Sequence, residues 1–159
     1  CLMAERGDHA AAEQHLREAL GLWEDADNPV GTAAALIQLG GLAARAPLRE
    51  HEAQEHYARA LGLALQHGLA PLALEAVLGA APLLAQMHGA GEVAPLLAAA
   101  AGHPAASGIR ARAAAYLREL GLDAEPGLDA PPCRVGQGWR ALALQVARQL
   151  DETLVGAAV

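Results

Sequence analysis

Lysine and phenylalanine are absent from the 159 residues, and serine occurs once, at Ser107. Each absence excludes something. Without lysine, and with a formal net charge of −7, the chain has no dense basic patch. Neither nucleic acid nor an anionic membrane is expected as a direct partner. Ser107 and Thr32 have no plausible base beside them, so a hydrolase triad is excluded. Aromatic residues make up 3%, and Val and Ile are too few for a sheet. The core must be built from Leu and Ala, which favours packed helices. The two cysteines, Cys1 and Cys133, lie far apart in unlike contexts. They suggest no disulfide framework, Cys133 reads as a loop thiol, and a cytoplasmic setting fits. No secretory leader is visible, and no apolar run of about 20 residues is free of Pro, Gly and charge. The chain opens at Cys1 rather than Met, inside an apparent helix, and is expected to be a segment of a longer protein.

What is present is apolar and repetitive. Hydrophobic residues make up 53%, ample for a core. The organising stretch is Leu39 to Leu61: the end of one helix, a corner at Pro47, and most of a second helix. On that second helix Ala53, Tyr57, Ala60 and Leu61 form an Ala-x3-large-x2-Ala-Leu pattern. Ala12, Leu16, Ala19 and Leu20 repeat it 41 positions earlier. Val93, Leu97, Ala100 and Ala101 form a weaker third copy, and Leu39-Gly40 recurs as Leu78-Gly79. Self-similarity at about 40 residues marks a helical array, because one helix pair cannot bury its apolar face alone. Small residues at fixed places let backbones approach, and Leu and Tyr fill the gaps.

These motifs resemble the tetratricopeptide repeat (TPR). The match is good for Asp8 to Leu20 and Gly40 to Leu61, partial for Leu78 to Ala101, and covers roughly residues 7–120. The spacing exceeds the usual 34 and is similar to the longer repeats in the C-terminal arms of bacterial signal-transduction ATPases and MalT-like activators. Pro82 and Pro95 depart from the pattern, as does the missing Pro after the first two units. The resemblance implies an all-α, right-handed TPR-like α-solenoid of antiparallel helix pairs, ending in a C-terminal capping helix.

In chain order, repeats span 1–121, with units about 1–28, 29–69 and 70–102 and a further helix at 104–120. Within the first unit, residues 1–6 end one helix, Gly7-Asp8 turns, and a second helix runs over 9–25. Asn28-Pro29 is a start signal, N-cap then Pro at the first helical position. Helices follow at 30–46, ended by Pro47, at 49–67, closed by Gly68 as a left-handed cap, at 71–88 and at 92–101. Pro82 should kink its helix, while Pro95 falls near a first turn. Residues 122–138 are rich in Gly and Pro and read as a loop. The stretch 139–156 returns to helix, with Trp139, Leu142, Val146 and Leu150 on one stripe, and is expected to cap the end of the array.

Candidate chemistry is thin. His51 and His56 bracket an HEAQEH segment, but five residues place them about 140° apart around a helix, so no zinc pair forms. Glu52 and His56, at i and i+4, are expected to pair instead. Gly89-Ala90-Gly91 lacks the strand and Lys of a phosphate loop. No catalytic residue, metal ligand or cofactor site is expected. Trp23 reads as packing between repeats. The resemblance implies binding in a groove lined by the first helix of each pair, where Thr32, Gln38, Arg45, Glu75 and Gln86, with Met87, lie off the core face. No carboxylate clamp of Lys, Asn and Arg is present. The expected function is a non-catalytic protein-interaction scaffold within a larger bacterial cytoplasmic regulator. Its partner would be a protein or peptide, or another domain of the same parent. The alternative is a small-molecule-sensing arm that switches a linked NTPase or DNA-binding domain. Exposed ends of such an array also favour a homo-oligomer.

Overall fold

The structure is a computed structural model, which describes residues 2–103, 108–119 and 138–156. It is all-α: the described residues form seven helices and no strand. These are α1 (Leu2–Asp25), α2 (Pro29–Ala43), α3 (Glu50–His67), α4 (Ala70–His88), α5 (Ala90–Gly102), α6 (Arg110–Glu119) and α7 (Gly138–Gly156). Each of α1 to α6 packs on its neighbour in the chain, and α7 packs on α3 and α4, with an edge on α5.

The expected start and stop signals act where the sequence places them. Asn28 is the N-cap of α2, its Oδ1 accepting from the backbone N–H of Val30 at 3.1 Å and Gly31 at 3.0 Å. Pro29 opens the helix, where no N–H is needed. Gly68 closes α3 with φ +70°, a conformation that glycine adopts without strain.

Four boundaries differ from the expectation. No corner forms at Gly7-Asp8, because α1 runs unbroken through them. A corner there would break hydrogen bonds between flanking helix formers, and no proline forces it. Helix α2 stops at Ala43, short of Pro47, and tightens into a turn in which Ala46 N–H donates to the Ala43 carbonyl at 3.0 Å. Arg45 N–H likewise donates to the Leu42 carbonyl three residues back, and Pro47, with no N–H, cannot extend the helix beyond this tightened turn. Helix α5 begins at Ala90, directly after Gly89, so Pro95 lies beyond its first turn. The helix expected over 104–120 is described from Arg110, with Gly108 and Ile109 in a turn before it. The loop at 122–137 lies outside the described residues.

Helix α4 continues through Pro82, which has no N–H to give the Leu78 carbonyl. It is also the one described helix long and apolar enough to cross a membrane, and half of that apolar window is buried inside the protein.

The core runs from α2 to α7 and is almost wholly aliphatic. Its centre is Tyr57, 2% exposed. The tyrosine ring is clamped between two glycines: a Cβ on Gly40 would stand 3.0 Å from it and one on Gly79 only 2.6 Å. This is the physical reason for the repeated Leu-Gly pair. Ala53, Ala60 and Leu61 are buried beside Tyr57, as are Val93, Leu97, Ala100 and Ala101 in the later copy. The early copy behaves differently, because Ala12 is exposed and Leu16, Ala19 and Leu20 are half-buried. Nothing among the described residues covers the outer side of α1.

Helix α1 is held to α3 by charge instead. Arg49 donates to Glu13 Oε2 at 2.9 Å and to Glu52 Oε2 at 2.7 Å, and Arg17 donates to Glu52 Oε1 at 3.1 Å. Further along, Arg59 bonds Glu24. The partners stay 35 or 36 residues apart along the pair, so α1 and α3 run parallel. Hydrogen bonding by Arg49 pulls Glu13 below the usual carboxylate range and Glu52 from 4.5 to about 2. Both carboxylates therefore titrate lower in the folded chain than in the unfolded one. The contribution of Glu52 is complete above pH 4.5 and is lost as pH falls through about 2, and that of Glu13 is lost in the same direction, as the pH drops below the usual carboxylate range. We expect the melting temperature to drop across that window and in about 1 M salt. Arg49→Gln should flatten both dependences while costing about 1 kcal/mol or less near neutral pH. Thermal unfolding against pH and salt checks this, and an unchanged profile in Arg49→Gln would refute it.

Helix α7 does not cap the end of the series, as the sequence reading expected. Trp139, Leu142, Ala143, Val146 and Leu150 are buried against the body of the fold. Such an apolar stripe needs a broad apolar bed. The neighbouring faces of α3 and α4 offer one, whereas α6 buries only Ala113 and Leu117.

Candidate functional site

Helices α2, α4 and α6 border an open groove of about 510 Å³. One wall is Gly41, Ala44 and Arg45, at the C-terminal end of α2; the opposite wall is Arg112, Tyr116 and Glu119 of α6. Leu78, Gly79 and Pro82 of α4 and the ring of Tyr57 form its floor. The glycines account for its depth. Gly40 and Gly79 let Tyr57 pass between α2 and α4, so that its hydroxyl reaches the groove floor. A Cβ at Gly41 would meet only that hydroxyl, at 3.7 Å.

The polar groups here are unevenly engaged. Arg112 pairs with Glu75 at 3.5 Å. The Arg45 guanidinium has no hydrogen bond or ion pair among the described residues, and neither has the Tyr57 hydroxyl. Burial pushes Tyr57 up to about 12, against the opposing influence of Arg45 and Arg112. The phenol therefore stays protonated near neutral pH and can donate. Burial also raises Tyr116, with Glu119 adding to the shift.

Of the residues expected to line a groove, only Arg45 lines this one. Glu75 does not line it but pairs with the lining residue Arg112, bridging α4 to α6. Gln38 and Gln86 are exposed elsewhere. Met87 turns toward α3, its sulfur accepting from Gln54 Nε2 at 2.9 Å. Thr32 is buried, its hydroxyl donating to the Asn28 carbonyl at 2.9 Å. It lines a different cleft, with Trp23, Arg59, Leu63 and His67. Trp23 packs flat on Gly31, whose Cβ would stand 2.5 Å from its ring, yet stays 42% exposed. Sequence reasoning missed Tyr57 as a groove residue because its pattern reads as core, and it is core except at its hydroxyl. It missed Arg112 because only the packing of α6 brings that residue toward Glu75.

The histidines form no metal site: among the described residues no three His, Cys, Asp or Glu side chains converge. His56 Nε2 lies 3.7 Å from Glu52, as expected, and His51 Nδ1 lies 3.6 Å from Glu55. Burial lowers His56 despite its acidic neighbour. No protein-family model, curated protein or solved structure matches the chain.

Proposed function

We propose that this chain is a non-catalytic docking scaffold built as a TPR-like solenoid, and that the α2/α4/α6 groove receives a segment of a protein partner. The observation that carries this reading is the groove itself: open, floored by a clamped Tyr57, and walled by small residues that leave room for another chain. The parallel run of α1 and α3, and the Leu-Gly clamp on Tyr57, support a repeated helix pair. The segment comes from a separate protein or from another domain of the same parent, a cytoplasmic regulator.

The test is a selection. A display library of random peptides is panned against the whole chain, and binders are re-measured on Gly41→Leu. The Cβ at this groove-lining position meets only the Tyr57 hydroxyl, at an ordinary 3.7 Å, and leaving glycine should raise helix stability by up to about 1 kcal/mol. The expected result is binders that lose affinity at least tenfold on a variant that melts no lower than wild type. Binders indifferent to Gly41→Leu place the docking surface elsewhere and sink the reading.

A further inference from the structure

Resting on that docking reading, the geometry points to an acidic partner segment, whose carboxylate is held jointly by the Arg45 guanidinium and the Tyr57 hydroxyl. Two observations carry this. Both groups border the same groove, and neither has a side-chain partner among the described residues. A guanidinium is a donor only, and its planar fork matches a carboxylate. Next to it, a protonated phenol supplies one more donor. The Tyr57 ring cannot swing away to find another partner, because Gly40 and Gly79 hold it on both sides.

The surrounding charges decide which end of the groove takes the acid. Arg45 also borders a smaller cleft with His9, Glu13 and Arg49. There Glu13 is already engaged by Arg49 and Arg17. Across the groove Glu75 is engaged by Arg112. Glu119 stands beside Tyr116 on the α6 wall, without an ion pair among the described residues. A second acidic side chain at that end would be repelled. The occupant is thus a segment with its carboxylate over the α2 wall and neutral or basic groups toward Glu119. The guanidinium–carboxylate hydrogen bond is charge-assisted, and the neutral phenol adds a second donor beside it.

The tightest selected peptide is synthesised with each Asp changed to Asn and each Glu to Gln, one at a time. Affinities are measured by calorimetry on wild type, Arg45→Gln and Tyr57→Phe, the last removing only the hydroxyl. One acid-to-amide change should weaken binding at least tenfold on wild type and change it less than twofold on Arg45→Gln. Tyr57→Phe should give a smaller loss through the same acid. Groove-binding peptides with no acidic residue, or an acid-to-amide effect that persists on Arg45→Gln, overturn the acidic-partner assignment and leave the docking reading standing. Failure to select any Gly41→Leu-sensitive peptide overturns both.

Discussion

Replacing Tyr57 with alanine should destabilise the fold by about 3–5 kcal/mol, the largest single effect expected outside α7. The side chain is 2% exposed, and its ring is the contact that α2, α3 and α4 share. The glycines around it should respond in a graded way that ordinary helix propensity would reverse. Gly→Ala inside a helix is normally stabilising by up to about 1 kcal/mol. At Gly79 the new methyl would lie 2.6 Å from Tyr57 Cε1, and the ring cannot retreat because Gly40 stands behind it at 3.0 Å. Gly79→Ala is therefore expected to cost about 1–3 kcal/mol, and Gly40→Ala somewhat less. At Gly41, with a single contact at 3.7 Å, the ordinary gain should survive. The decisive arm is Gly79→Ala in a Tyr57→Ala background, where the clash has no partner and the sign should turn favourable. Urea denaturation of the set measures this. Equal effects of Gly79→Ala in both backgrounds would show that the ring is not what the glycine accommodates.

Val146→Asp should detach α7. Val146 is wholly buried in the stripe that α7 lays on α3 and α4. An uncompensated charge at such a place costs about 3–5 kcal/mol, more than one helix with a narrow apolar face readily tolerates. The readout is Trp139, which is 6% exposed, measured in a Trp23→Phe background so that only one indole reports. Its emission should shift to the red while most of the helical circular dichroism of the rest of the chain remains. Emission unchanged from wild type would mean that α7 stays seated and that this packing is misjudged.

How far the sequence reaches is visible in single residues. Asn28-Pro29 and Gly68 set their helix ends by local chemistry alone, a side-chain acceptor and a left-handed glycine, and both act at the positions read from the sequence. The apolar stripe of α7 was likewise legible, since it depends only on spacing along one helix. Its destination was not, because the stripe states that a partner surface exists without saying which. The pattern at Ala12, Leu16, Ala19 and Leu20 shows the same limit: it repeats the small–large–small–Leu spacing of the buried motif of α3, with Leu16 in place of Tyr57, yet stays exposed or half-buried for want of a neighbour among the described residues. Composition and motif spacing thus determined the helical class and the small-residue contacts around Tyr57. Only the tertiary structure decided that α1 is held by arginine–carboxylate bonds, that α7 beds on α3 and α4, and that Arg45, Tyr57 and Arg112 border one groove. Local signals act within a turn or two of chain, whereas a groove is made by side chains from four helices whose mutual placement depends on every packed face at once.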